Sequence, residues 1–192
     1  MIDYNPARKE IKAAKKCISD MESSTNFDDM EQLWRDCLNH IEKSFTKLLN
    51  AINPVKGQFT NAFSKEYAIK GSDDLLRYIK QARDCDNHTI GDISKKVPAS
   101  TTINPAPGSN SLYIKNLSIG GFGNMHFEGG PALIQFHPES IEAIAVTSRS
   151  GTYDPPKSHL GNPITSTKPV DLARAGIAFY ENWIEESSKK FK

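Results

Sequence analysis

The stretch that decides the fold covers residues 30–54 and reads MEQLWRDCLNHIEKSFTKLLNAINP. Its apolar side chains recur every three or four positions over about six helical turns. These positions are Met30, Leu33, Trp34, Cys37, Ile41, Phe45, Leu48 and Ile52. The period is typical of an amphipathic helix that buries one face. Asn53-Pro54 predicts its end, because the residue before a proline avoids helical backbone.

Capping signals predict further helices on both sides of this stretch. Asn5-Pro6 can begin a first helix, since asparagine is a good capping residue and proline fits a first turn. The long helix is predicted to open near Asn26–Asp28. A later helix is expected after Ser72-Asp73-Asp74, which supplies a cap and two acidic first-turn residues. The last helix is expected from Pro169 onward, with Lys189-Lys190 at its C-terminal end.

The chain between these helical parts has a different character. Residues 99–111 are rich in Pro, Ser, Thr, Asn and Gly and predict a loop. The β-like segments that follow are residues 112–119, 124–127, 132–137 and 141–148. Turn-type glycines and prolines separate them, which favours one small antiparallel sheet. A second loop is expected over residues 151–168.

These elements predict a single α+β domain that is predominantly α. Residues 1–98 are expected to form the helical part, residues 99–167 a β and loop insertion, and residues 168–192 the C-terminal helix that completes the bundle. The small antiparallel sheet would thus be inserted before the last helix.

Composition limits the classes of function that are open to the chain. The 24 lysines and arginines balance 23 acidic residues, so net charge gives no general attraction to nucleic acid or membrane. The three cysteines are far apart and form no CxxC, which indicates neither a disulfide framework nor a zinc site. No apolar run approaches the roughly 18 residues of a membrane span, and the N-terminus lacks a signal-peptide core. We expect a cytoplasmic protein without a membrane contact, a metal or a cofactor.

One polar block interrupts the apolar pattern of the helix that follows residue 74. Residues 83–88 read RDCDNH where the next apolar turn should be. The fixed charge and planar fork of Arg83 suit phosphate oxygens, and His88 can transfer a proton near neutral pH. Asp84 or Asp86 could orient the imidazole or hold the arginine. Together these groups could cleave RNA without a metal.

The spacing of Arg83 and His88 resembles the R-x4–6-H motif of the HEPN superfamily, whose members are small helical bundles. Many of them are metal-independent ribonucleases in toxin–antitoxin, phage-defence and RNA-processing systems. The family usually has a polar residue directly after the arginine, a position that Asp84 occupies here. The likeness in pattern extends over residues 1–96 and the final helix; the β insertion lies outside the family's common core.

The resemblance implies a catalytic role for Arg83 and His88, with Asp84 in support. It further implies an RNA substrate, a product with a 2′,3′-cyclic phosphate, and a homodimer whose two motifs form one cleft. An antitoxin-like protein partner would be consistent with it.

A structural interpretation of the same block stays open beside this one. Arg83 could pair with Asp86 or Asn87 on the helix surface, and His88 could interact with the free carbonyls of the helix C-terminus. In that case the chain would be a non-catalytic protein-interaction module, with the predicted sheet as its binding surface and Arg83–His88 as a structural polar cluster.

Overall fold

The computed structural model describes residues 2–88, 91–120, 125–148 and 151–191, without the side chains of His88 and Met125. Its helices are α1 (Asn5–Ser23), α2 (Phe27–Ala51), α3 (Lys56–Ala62), α4 (Ser64–Ser72), α5 (Asp74–His88) and α6 (Pro169–Lys190). The predicted α+β class with a predominance of helix and a helix at the C-terminal end is confirmed. No described helix has the length and apolar character to span a bilayer.

The predicted helix limits hold closely, with corrections at two caps. Ser72 is the last residue of α4, so that Asp73 rather than Ser72 caps α5, and the other correction is at Asn5. Asn26 caps α2 by accepting a hydrogen bond from the Asp28 backbone N–H at 2.8 Å, and α2 ends just before Asn53-Pro54 as predicted. Asn5 is not the cap of α1, because it is already the first helical residue and Tyr4 precedes it. The Asn5 backbone N–H instead donates to the Asp3 carboxylate at 2.9 Å.

The core lies where α6 packs against α1 and α2. Both tryptophans, Trp34 of α2 and Trp183 of α6, are fully buried there. The ring of Trp183 lies 5.0 Å from those of Phe45 and Tyr67, measured between ring centroids. Burial of large apolar side chains is the main favourable contribution to the folding of such a bundle. It holds α6, the last helix, against α1 and α2.

The strands form separate antiparallel pairs rather than the one small sheet expected from the sequence. They are β1 (Ser94–Val97), β2 (Ser100–Pro105), β3 (Ile114–Ile119), β4 (Met125–Gly129), β5 (Ala132–His137), β6 (Ser140–Ala143), β7 (Val146–Ser148), β8 (Gly151–Tyr153), β9 (Ser158–His159) and β10 (Asn162–Pro163). Among the described residues β1 pairs with β6, β7 with β8 and β9 with β10.

Two compact units can be distinguished along the chain. One, here called the helical unit, contains residues 1–97 and 140–192, and the other, here called the ribbon, contains residues 98–139. Within the ribbon β2 pairs with β5 and β3 pairs with β4, each in antiparallel register. The prediction of a loop over residues 99–111 was wrong in its first half, because β2 finds its partner some thirty residues further along the chain.

Candidate functional site

The fold presents the polar block of residues 83–88 on the last turns of α5, beside the middle of α2. The first three turns of α5 bury Leu75, Leu76, Ile79 and Ala82 completely in the helical unit. This packing fixes the rotation of α5 about its axis. The polar side chains that follow are therefore directed toward α2, and several of them bond to it.

Two residues of the block connect α5 to α2 by hydrogen bonds. Asp86 accepts a hydrogen bond from Arg35, and this ion pair is largely shielded from solvent. Burial lowers the pKa of Arg35, but the hydrogen bond to Asp86 and the charges of Asp86 and Glu31 together outweigh that effect and hold the arginine pKa above its usual value. Asn87 donates from Nδ2 to the side-chain oxygen of Asn39 at 3.1 Å. The expected pairing of Arg83 with Asp86 or Asn87 is thus replaced by bonds between the two helices.

Arg83 is held more loosely than these neighbours. One terminal nitrogen lies 3.2 Å from the Asp84 carboxylate, and the other lies 3.9 Å from Glu42 of α2. Its Nε is buried and has no hydrogen-bond partner among the described residues. Because a guanidinium offers five N–H donors, Arg83 retains donors for an additional anion. Asp84 thus contacts the arginine from the α5 side, and it also lies 4.0 Å from Lys80.

Behind Arg83, Glu42 is buried at the centre of a charged network. Its carboxylate accepts a hydrogen bond from the Tyr180 hydroxyl at 2.9 Å and lies 3.3 Å from the Lys70 ammonium. Burial, together with the neighbouring Glu42 charge, raises the pKa of Tyr180 well above its usual value, so this hydroxyl keeps its proton. The network fixes the carboxylate that faces Arg83.

An open cleft of about 360 Å³ borders this arrangement. Its lining combines one face of α2 with the end of α5: Asn39, Glu42, Lys43, Thr46, Arg83 and Asn87. Two cationic side chains, two amides, a hydroxyl and the Glu42 carboxylate therefore line one space. Lys70 and Arg83 lie beside that carboxylate and offset its charge, and the donors of the lining suit a phosphate group. The α2 residues were not singled out from the sequence. Only Glu42 could have been noticed there, because it is a charged residue within the apolar stripe of α2, between Leu38 and Phe45.

Of the three predicted site residues, the structure places the side chains of Arg83 and Asp84 in contact. His88 is the last residue of α5, and its side chain lies outside the described part of the molecule. The distance from its imidazole to Arg83 thus stays a prediction. No group of histidines, cysteines and carboxylates within the described residues is arranged to hold a metal ion.

A larger cleft, about 650 Å³, lies elsewhere in the helical unit, and its lining includes no residue of the 83–88 block. At its edge Asp73 accepts a hydrogen bond from the Leu76 backbone N–H and so caps α5. The same carboxylate lies 2.9 Å from His159 Nδ1 and accepts from the Leu160 N–H at 2.7 Å. Asp73 thus joins the start of α5 to the β9–β10 hairpin, which is a structural role.

Comparison with known proteins adds no relative: no family model matches the chain, and neither does any curated protein or solved structure.

Proposed function

We propose that the chain is a HEPN-like, metal-independent ribonuclease or RNA-processing protein. One observation carries this proposal: Arg83 and Asn87 of α5 share an open cleft with Lys43 and Thr46 of α2. The cleft offers fixed positive charge and neutral donors to a phosphodiester, as metal-free cleavage of RNA requires. By the resemblance of Arg83-x4-His88, its substrate is RNA in the cytoplasm, its active form is a homodimer, and an antitoxin-like protein is a candidate partner.

The reaction follows from the roles of three side chains. The ribose 2′-oxygen attacks the adjacent phosphorus, the bond from phosphorus to the 5′-oxygen breaks, and a 2′,3′-cyclic phosphate is left. His88 transfers the proton that leaves the 2′-hydroxyl, which finally resides on the 5′-oxygen. Arg83 stabilises the charge that builds on the phosphoryl oxygens, and Asp84, 3.2 Å away, keeps its fork in place.

Cleavage of mixed RNA by the purified full chain in excess EDTA tests this proposal. We expect fragments with 2′,3′-cyclic phosphate ends from the wild type and none from Arg83→Ala or His88→Ala. His126→Ala and Arg174→Ala are matched controls, because both residues are exposed and far from residue 83 in the sequence. Equal cleavage by all five proteins would point to a contaminating nuclease, and no cleavage by any would reject the ribonuclease.

A second candidate function is a non-catalytic protein-interaction module. It is favoured by the exposed apolar side chains of the ribbon and by the bonds that tie Asp86 and Asn87 to α2. In this case Arg83–His88 would be a structural polar cluster, and the binding surface would be the ribbon. The two candidates are separable, because the ribbon and the cleft at Arg83 share no residue and can be mutated independently.

A further inference from the structure

The ribbon, residues 98–139, carries most of the exposed apolar side chains of the described molecule. The large apolar residues exposed in it are Tyr113, Ile114, Leu117, Ile119, Leu133, Ile134 and Phe136. The rest of the described chain adds only Leu160. A concentration of this kind in one short unit is typical of a surface that another molecule covers.

The pairing of β2 with β5 separates apolar from polar side chains. Residues paired across antiparallel strands share a face. Ile103 lies opposite Ile134 and Thr101 opposite Phe136 on one face, with Ile134 46% and Phe136 66% exposed. The opposite face carries polar pairs such as Thr102 with Gln135. Leu133, paired with Asn104, is the apolar exception on that polar face.

The pairing of β3 with β4 repeats this division. Leu117, which is 43% exposed, lies opposite Phe127 on the apolar face, and Ile119, 74% exposed, follows two residues later. The polar face carries Asn116 and Glu128, joined by a hydrogen bond of 2.7 Å. Both parts of the ribbon therefore have one apolar and one polar face, the pattern of a sheet that packs against a second layer.

Within the ribbon no such layer is present among the described residues, since each ladder has two strands only. A two-stranded ladder is marginally stable in water without a covered hydrophobic face. If a fully exposed large side chain offers about 150–250 Å², the exposed fractions of the six residues other than Leu133, which lies on the polar face, amount to roughly 600 Å² per copy. A standard interface buries about 800 Å² per partner. The ribbon thus offers about three quarters of the area that a standard interface buries.

Its charge and its edges limit the nature of the partner. The charged residues of the ribbon are Lys115, Glu128 and Glu139, so it offers no field to a polyanion such as RNA. A bilayer interior fits poorly, because each ladder has open strand edges whose N–H and C=O groups lipid cannot satisfy. A second copy of the chain is compatible with both the low charge and the open edges. It offers an equally apolar surface, and two ribbons with so few charges do not repel each other.

We propose that the apolar faces of the two ladders pack on the same faces of a second copy of the chain, which makes the ribbon the interface of a homodimer. Two-fold symmetry brings the same patch of both copies into contact, so that each contact of one residue with another is repeated with the copies exchanged, as in isologous dimers. This inference deepens the second candidate function by naming its partner, and it does not depend on ribonuclease activity.

Light scattering on the full-length wild type and two lysine variants tests the inference. We expect a wild-type dimer at micromolar concentration. Phe136→Lys, which places a charge on the apolar face of both copies, should raise the dissociation constant at least about tenfold. Gln135→Lys is the matched control: it adds the same charge at the preceding residue, on the polar face, and should change the constant less than about threefold. Both tryptophans lie in the helical unit, so their fluorescence checks its folding independently of the ribbon.

Three results would overturn the inference: a monomeric wild type, a dimer that Phe136→Lys leaves intact, or equal weakening by both variants. Flotation of a monomeric wild type with phosphatidylcholine vesicles would assign the ribbon to lipid instead. RNA cleavage measured on the same samples keeps the proposals apart. A monomer that cleaves RNA would reject the ribbon dimer, and with it the homodimeric active form proposed above, but not the ribonuclease activity. A dimer of the expected behaviour that cleaves none would reject only the ribonuclease.

Discussion

Arg83 of α5 and Glu42 of α2 face each other at 3.9 Å, and Glu42 also accepts a hydrogen bond from Tyr180 and forms an ion pair with Lys70. Arg83, the proposed phosphate-binding residue, thus faces a buried carboxylate that also contacts residues of α4 and α6. Removing one partner of a buried charged network leaves the others uncompensated, which costs far more than the loss of a surface pair. Substitutions at Glu42 can therefore show how much this network contributes to the stability of the bundle around Arg83.

We predict that Glu42→Ala lowers the free energy of unfolding by about 3–5 kcal/mol, because it leaves Lys70 without its buried counter-ion. Glu42→Gln should cost less, since its amide oxygen still accepts from Tyr180. Urea unfolding at neutral pH, followed by circular dichroism, measures both. Glu22→Ala, which removes an exposed partner of Arg174, should stay within about 1 kcal/mol of the wild type. A Glu42→Ala loss as small as that of Glu22→Ala would contradict the network.

Asp86→Ala should separate the structural part of the polar block from its chemical part. The Asp86 carboxylate is largely shielded and bound to Arg35, so its removal should cost about 1.5–3 kcal/mol of stability. Because Asp86 does not line the cleft at Arg83, we expect cleavage of RNA per folded molecule to stay unchanged. Unfolding and cleavage assays on one preparation measure both effects. Full stability with lost cleavage would instead give Asp86 a role in the chemistry.

The local features of this molecule were predictable from the sequence because they depend on neighbouring residues. The stripe of α2, its cap at Asn26 and its end before Asn53 follow from side chains within a few positions of each other. Strand β2 was missed for the opposite reason. Its threonines, asparagine and Pro105 resemble a loop, and it becomes a strand through pairing with β5.

The candidate site was predictable only in part, for a similar reason. Arg83 and Asp84 stand out as charges that break an apolar pattern. The identity of their neighbours on α2 depends on the register in which α5 packs against it, which no local pattern contains. Glu42 is the exception, since a charged residue inside an apolar stripe indicates a buried partner.

The Asp73 carboxylate should make stability depend on acid pH. Burial raises the pKa of Asp73, but hydrogen bonds from His159 and from backbone N–H groups outweigh this, so the folded-state pKa lies below the usual value. Its stabilising effect is present above the unfolded pKa of about 3.9 and is lost as pH falls through the lower folded pKa. Asp73→Asn should cost about 1–2 kcal/mol at pH 7, and this deficit should shrink as the pH falls below about 4.

Urea unfolding of wild type and Asp73→Asn between pH 7 and about pH 2.5 measures that difference. Other carboxylates titrate in the same range, among them Glu185, whose pKa the hydrogen bond from Arg8 lowers. They are common to both proteins, so subtracting the two curves isolates Asp73. A difference that stays constant with pH would show that the Asp73 charge does not contribute to the cap or to the hairpin contact.

The close approach of α6 to α5 depends on the missing side chain of Gly176. A Cβ at this position would lie well inside van der Waals distance of Ile79 Cδ1, in the fully buried core. We therefore predict that Gly176→Ala destabilises the fold by about 1–3 kcal/mol, despite the better helix propensity of alanine. Gly71→Ala is the matched control: a Cβ there meets nothing within 4 Å, so the same change in a helix should be neutral or stabilising by up to about 1 kcal/mol.

Ile79→Val shows whether this contact is the cause. Valine lacks Cδ1, so alone it should cost about 0.5–1.5 kcal/mol through a small cavity. In the double variant the Cβ added at position 176 would occupy that space, and the combined loss should fall short of the sum of the single losses by about 1 kcal/mol or more. Thermal and urea unfolding of the wild type, both single variants and the double variant complete this cycle. Strictly additive losses would mean that α5 and α6 are spaced by other contacts, and that Gly176 is tolerated rather than required.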